Sequence, residues 1–272
     1  MKRNIIKGII LLCGCLALAS CRYEEIVPFD YPEGQVYLPV AYSGTVYAID
    51  DISLPTYDTP TSGAPYRYLL SDDKTRFNVP LSVYRSGLNP GNAVTVSIAD
   101  NRQLVTDSKG EGKALSESVE LLPESVYSCN ASVKFDEGQI VAPFSLQVDF
   151  SFLKQNIGKQ FAAGISISSK EQTCNPKLSS VIVLIDTRFL QAEPSFVFAI
   201  DAADSLKAVF NNSSRFADPA SYSWDFGDGS VKSSETNPAH VFPAAGSYTV
   251  SLTAINPLTN EKKTASEEVV IK

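Results

Sequence analysis

The chain has 272 residues, of which 44% are hydrophobic and 19% charged, and its net charge is −7. An acidic chain is a poor partner for nucleic acid or an anionic membrane face, and a single His with no Cys-x-x-Cys spacing argues against a Cys-based metal centre. The length suits two modest domains better than one.

The N-terminus carries Lys2, Arg3 and Lys7, then the apolar run Gly8 to Leu18, then Leu18-Ala19-Ser20-Cys21. A basic stretch, a short apolar run and small residues before a cleavage point form a secretory signal, too short for a membrane span. The Leu-Ala-Ser-Cys ending resembles a bacterial lipobox. That resemblance implies removal of residues 1–20 and lipidation of Cys21, with residues 21–33 as an anchored linker. Several acyl chains would hold the protein stably, since one chain alone binds with only about 10⁴ M⁻¹. The following Arg22-Tyr23-Glu24-Glu25 is similar to the export signal of Bacteroidota surface lipoproteins. The implied location is the cell outer membrane, lipid-anchored and surface-exposed. Processing removes three basic and no acidic residues, so 23 basic residues become 20 against 30 acidic ones, a net charge of −10.

Residues 34–188 read as a first β-sandwich domain. Period-two alternation marks strands at Val36 to Leu38, Phe77 to Val83, Val94 to Ile98, Tyr127 to Phe135, Phe144 to Phe150, Phe161 to Ile167 and Val181 to Ile185. Asp136-Glu137-Gly138 supplies a hairpin-type turn, and Ser86-Gly87 ends another strand. No segment has a convincing amphipathic helix pattern, which favours an antiparallel sandwich. Thr187 to Glu193 reads as a short connector.

Between the first strands lies the loop from Leu54 to Tyr68, restricted by Pro55, Pro60 and Pro65. Tyr57, Tyr66 and Tyr68 offer flat amphipathic rings there, with Asp58 and Arg67 beside them. Sugar recognition needs a ring for the apolar face of a pyranose and polar groups for its hydroxyls. Tyr57, Tyr66, Arg67 and Tyr68 are therefore the candidate ligand-binding residues, against ordinary packing of the loop onto the sandwich edge. Of the five cysteines, Cys13 and Cys15 leave with the signal and Cys21 is consumed by lipid. Cys129 and Cys174 remain, an even pair that permits one disulfide. Cys129 shares the parity of Ala131, Val133 and Phe135 and reads alternatively as a small buried apolar residue.

In residues 192–272, Tyr222, Trp224 and Phe226 alternate on one strand, and Gly227-Asp228-Gly229 supplies a positive-φ turn. After Asn237-Pro238-Ala239-His240-Val241-Phe242, the residues Tyr248, Val250, Leu252 and Ala254 alternate with polar partners, as in a half-buried strand. Further alternating segments complete a second sandwich. The Trp-Asp-Phe-Gly-Asp-Gly turn, the Asn-Pro-Ala-His-Val-Phe segment and the Gly-Ser-Tyr-Thr-Val-Ser-Leu strand resemble a polycystic-kidney-disease (PKD) domain. That resemblance implies an immunoglobulin-like sandwich, usually a spacer or binding module in extracellular proteins.

The first domain, through Val36-Tyr37-Leu38-Pro39, Val83-Tyr84-Arg85-Ser86-Gly87 and Leu122-Pro123-Glu124-Ser125-Val126-Tyr127, is similar to the N-terminal immunoglobulin-like domain of Bacteroidota surface lipoproteins. Such domains accompany glycan-binding modules or glycoside hydrolases in polysaccharide-utilisation systems. Here a PKD module follows and no hydrolase domain does. Asp204-Ser205-Leu206 also resembles the short O-glycosylation acceptor pattern of Bacteroidota.

Catalytic readings fare poorly. Asp225-Phe226-Gly227 copies the magnesium-binding triplet of protein kinases but lacks its companion motifs. Asp225 and Asp228 could join a Ca²⁺ site, but capping their own turn is the simpler role. His240 has no second His or serine nucleophile beside it in the sequence. The adjacent acid pairs Asp50-Asp51, Asp72-Asp73, Asp136-Glu137 and Glu267-Glu268 do not face each other across a cleft, as a glycosidase requires. The expectation is an all-β protein of two consecutive immunoglobulin-like antiparallel β-sandwiches, with no catalytic residue, cofactor or metal. Its expected partner is a polysaccharide or glycoprotein glycan, or alternatively another envelope protein bound in a structural or adhesive role without a sugar site.

Overall fold

The computed structural model describes residues 34–52, 67–87 and 91–272. The expected lipidation site at Cys21 and the candidate residues Tyr57 and Tyr66 lie outside these.

The first sandwich has two sheets. One is ordered β1-β4-β9-β7, with β1 at Val36–Tyr37, β4 at Arg76–Arg85, β9 at Val141–Asp149 and β7 at Tyr127–Cys129; β3 (Leu69–Leu70) pairs beside β4. The other is ordered β2-β11-β10-β5-β8, with β2 at Val46–Ile49, β11 at Ser180–Asp186, β10 at Gln160–Ser168, β5 at Val94–Asp100 and β8 at Ser132–Phe135; β6 (Glu120–Leu121) pairs beside β10. Most pairs are antiparallel, but β2 runs parallel to β11 and β6 parallel to β10.

Register follows from the hydrophobic pattern. Phe77, Val79, Leu81 and Val83 of β4 stand opposite Val148, Leu146, Phe144 and Ala142 of β9, so one face of the pair is wholly apolar and buried. Phe161, Ala163, Ile165 and Ile167 of β10, with Val181, Val183 and Ile185 of β11, complete that core from the other sheet. Strand β10 is buried on both faces. Its Ala162, with Ile182 of β11, packs under Val105, Leu115 and Val119, a second small core formed by the excursion after β5. That excursion begins with a short helix, α1 (Arg102–Asp107), whose N-cap Asn101 accepts from the Leu104 N–H. A second short helix, α2 (Phe150–Gln155), follows β9 behind the N-cap Asp149. No described helix is long and apolar enough to cross a membrane.

The continuous strand expected from Tyr127 to Phe135 is two strands in different sheets. β7 pairs with β9, whereas β8 pairs with β5. The chain crosses at Asn130 and Ala131, where the Ala131 carbonyl accepts from the Ile98 N–H. Cys129 therefore does not share a face with Val133 and Phe135, and it is half-buried.

The second sandwich pairs β12 (Phe196–Ile200), β13 (Lys207–Asn212) and β15 (Ala239–Val241) in one sheet, and β14 (Ser223–Asp225), β16 (Gly246–Ile255) and β17 (Lys262–Ile271) in the other. Trp224 is fully buried at its centre, among Phe196, Phe210, Val250, Leu252 and Ala254. Its indole N–H donates to the Glu235 carbonyl at 2.9 Å, which satisfies the ring's polar atom. Gly227 has φ of 75°, and a Cβ there would lie 2.4 Å from the Thr249 carbonyl oxygen. Glycine is needed both for the turn and for that close approach.

The short connector Thr187–Glu193 is packed into the fold. Phe189 and Leu190 belong to the first core, together with Phe216 from the second half of the chain. Asn256, fully buried, donates through Nδ2 to the carbonyls of Phe189 (2.8 Å) and Phe216 (2.9 Å). Thr259 adds a hydrogen bond to the Leu190 carbonyl. These contacts turn the junction into packed structure.

Candidate functional site

The structure places the described part of the expected sugar-binding loop inside the fold. Tyr68 is 5% exposed, stacks on Phe77 with ring centres 4.7 Å apart, and donates its hydroxyl to the Ile52 carbonyl at 2.7 Å. Burial pushes its phenol pKa well above the ordinary value. A ring held this way cannot lie against a sugar. Arg67 is half-buried, donates to the Ala48 carbonyl at 3.0 Å and stands over the Tyr47 ring. The burial of Tyr68 is a correction to the sequence expectation. Alternation after a proline-rich stretch does not reveal which rings the β4 core draws in.

Three other tyrosines form an accessible cluster. Tyr37 of β1 and Tyr84 of β4 are register partners. Their neighbours Val36, Leu38 and Val83 are fully buried, so strand alternation turns both tyrosines to the outer face. After Leu38, Pro39 starts a single 3-10 turn, Pro39–Ser43, which brings Tyr42 back over this face. Tyr37 and Tyr42 meet edge to face at 5.6 Å, and Tyr37 and Tyr84 are tilted at 6.0 Å. Tyr42 is 67% exposed, whereas Tyr37 and Tyr84 are half-buried. Partial burial, with Tyr42 and Tyr84 close by, raises the Tyr37 phenol pKa above its ordinary value. Exposed Ile140 and half-buried Val141 lie next along, since Val141 pairs with Tyr84.

Chemically, this surface combines amphipathic rings at different tilts with hydroxyl donors and acceptors. Such a surface can cover the C–H face of a sugar ring and hydrogen-bond its hydroxyls without desolvating a charge. The parity of Tyr37 and Tyr84 was legible in the sequence. Their meeting with Tyr42 required the pairing of β1 with β4.

Elsewhere, an open cavity of about 310 Å³ sits at the sandwich edge where β7 departs from β8, lined in part by Asp100, Glu124, Tyr127, Cys129 and Asn130. Tyr127 donates to Asp100 at 2.7 Å, and Arg102 pairs with Glu124 at 3.5 Å. Burial pushes the Cys129 thiol up to about 11, so it is a poor nucleophile at neutral pH. The disulfide permitted by the sequence does not form, because Cys129 and Cys174 are both free. Cys129 lies on β7 beside β9, whereas Cys174 bridges to Val36 next to β1.

The paired residues of the second sandwich serve its turn. Asp225 accepts from the Gly227 N–H and Asp228 from the Ser230 N–H. His240 bonds Asp228 and stacks flat on Phe226. Among the described residues, no three His, Cys, Asp or Glu side chains come together as metal ligands.

A family model for an N-terminal domain matches residues 31–173, and the PKD domain model matches residues 198–269. The crystal structure of the PKD1 domain of Vibrio anguillarum Epp is 30% identical, covering 30% of this chain and 94% of its own, with a TM-score of 0.27. A candidate carbohydrate-binding protein from Bacteroides ovatus is 10% identical over 87% of this chain and 70% of its own, with a TM-score of 0.38. Another Bacteroides ovatus protein of unknown function is 10% identical over 89% of this chain and 95% of its own, with a TM-score of 0.42.

Proposed function

The chain belongs to the family defined by this N-terminal domain, here followed by a PKD domain, and from that premise we propose that it is a non-catalytic glycan-binding lipoprotein of the outer-membrane surface. Lipid on Cys21 holds the protein at the membrane, and the first sandwich presents the Tyr37-Tyr42-Tyr84 surface to a polysaccharide or a glycoprotein glycan. The PKD sandwich, docked through Asn256 and Thr259, extends the platform. The observation that carries this reading is the three-tyrosine cluster with Tyr42 67% exposed. The mature chain, with Cys21→Ser to keep it soluble, is to be screened against neutral and charged polysaccharides from plant, host and microbial sources. Retention on at least one, weakened about tenfold or more by Tyr42→Ala with unchanged thermal stability, is expected from loss of a stacking ring. Unchanged retention in that variant would move the site elsewhere.

A second reading has its own observation. On the sheet of β12, β13 and β15, register puts Val197, Ala199, Val209, Ala239 and Val241 on the outer face, with Val197 61% and Val241 56% exposed. This face, apolar except for Lys207 opposite Val241 and Asn211 opposite Val197, suits another envelope protein. Absence of glycan retention, together with co-purification of a protein partner lost on Val197→Lys, would favour it.

A further inference from the structure

Beside the Tyr37–Tyr84 pair in the same ladder stands the pair Val36–Arg85. Arg85 has the parity of Leu81 and Val83, so its side chain turns inward at the end of β4, and it is only 9% exposed. It borders a polar cleft of about 490 Å³ lined also by Gly34, Ser169, Lys170, Glu171 and Gln172. That volume is within the usual range for small-ligand sites, about 300–1,000 Å³.

The cleft holds unmet polar groups. Arg85 Nη1 donates to the Asn92 carbonyl at 2.8 Å, whereas Nε is enclosed without an acceptor. Nη2 is not enclosed and makes no hydrogen bond to a described residue. Among the described residues, no carboxylate lies within ion-pair distance of Arg85. Glu171, the acid on the cleft wall, is turned to the Thr95 N–H at 2.6 Å. Gln172 donates to the Gly34 carbonyl at 2.7 Å, and its Oε1 is enclosed with no donor.

A guanidinium taken out of water without a counter-charge is strongly unfavourable. This chain has 30 acidic residues, so an unpaired buried arginine does not reflect a shortage of carboxylates. Lys170 adds a second positive charge to the same wall. The arrangement suits an incoming anion, which the fork of Arg85 can grip with fixed geometry.

We propose that this cleft receives the anionic substituent, a carboxylate or a sulfate ester, of an acidic glycan. The proposal rests on the glycan-binding reading and narrows its ligand class. Non-specific attraction does not explain such binding, because the protein is itself acidic and repels polyanions.

The test uses the mature chain with Cys21→Ser and two matched pairs of polymers at physiological salt. Polygalacturonate against its methyl ester isolates the carboxylate, and dextran sulfate against dextran isolates the sulfate. One charged member should bind at least about tenfold more tightly than its neutral partner, and Arg85→Met should remove that preference while leaving neutral binding intact. Lys170→Ala should reduce it less. Equal affinity for charged and neutral partners, or an undiminished preference in folded Arg85→Met, overturns the proposal alone. If Arg85→Met does not fold, Arg85→Lys, which keeps the charge but loses the two-pronged donor geometry, should diminish the preference, and an undiminished preference there is the refutation. Failure of all polymers to bind overturns the glycan reading as well.

Discussion

His240 Nε2 lies 2.7 Å from Asp228 Oδ2, while the imidazole stacks on Phe226 with ring centres 3.9 Å apart and planes 3° from parallel. The single histidine of the chain thus ties the turn after β14 to strand β15. Burial alone would raise the Asp228 carboxyl, but bonds from the Ser230 hydroxyl, His240 and the Ser230 N–H outweigh it and bring the pKa down to about 2. An unfolded aspartate titrates near about 3.9. The stabilisation is therefore complete above about pH 4 and is lost as pH falls from there through about 2, where the unfolded chain binds the proton first. Asp228→Asn should lower neutral-pH stability by about 1–3 kcal/mol and flatten this acid-side loss. Urea unfolding at pH 7 and pH 3 measures both; an unaltered pH slope in the variant would count against the pair.

Trp224 is the only tryptophan, so its fluorescence reports the second sandwich directly. Trp224→Ala removes its packing against Phe196 and Phe210 and its bond to the Glu235 carbonyl. A loss of about 3–5 kcal/mol is expected, read by urea unfolding followed by circular dichroism. A loss below about 1 kcal/mol would contradict the observed burial.

Gly164 lies in the middle of β10, where a Cβ would come within 2.1 Å of the Asn101 carbonyl oxygen. That close approach lets the excursion containing α1 seal the outer face of the sheet, since Asn101 also donates its N–H to the Gly164 carbonyl at 2.8 Å. Gly164→Ala must displace this segment, so destabilisation of about 2 kcal/mol or more is expected. Hydrogen exchange should quicken first at Leu104, Val105 and Leu115. Exchange unchanged there, with stability retained, would show that the backbone can yield without cost.

Asn256→Ala removes both donors that hold the Phe189 and Phe216 carbonyls. Two buried acceptors then lack partners, at about 1–3 kcal/mol each. Because these bonds sit at the junction, the variant should unfold in two calorimetric steps where the wild type unfolds in one. A single sharp transition at the wild-type temperature is the contrary result.

Local features were legible in the chain itself. Period-two alternation identified β4, β5, β10, β11 and β16, and Gly227-Asp228-Gly229 identified the turn, because side-chain direction in a strand and positive φ in a turn are properties of neighbouring residues. The same alternation misled at Tyr127 to Phe135, where the change of sheet at Asn130 leaves no mark on local parity.

Sequence by itself determined that the protein is all-β, that its C-terminal part is PKD-like and that Trp224 and His240 have structural roles. Tertiary structure decided which tyrosines meet solvent and which charge is left unpaired. Tyr68 was drawn into the core by Phe77, whereas Tyr37, Tyr42 and Tyr84 were gathered by the β1–β4 pairing and the turn after Leu38. Arg85 was enclosed beside residues 169–173, more than eighty positions later in the chain. Alternation assigns a face, but only long-range pairing determines what covers that face.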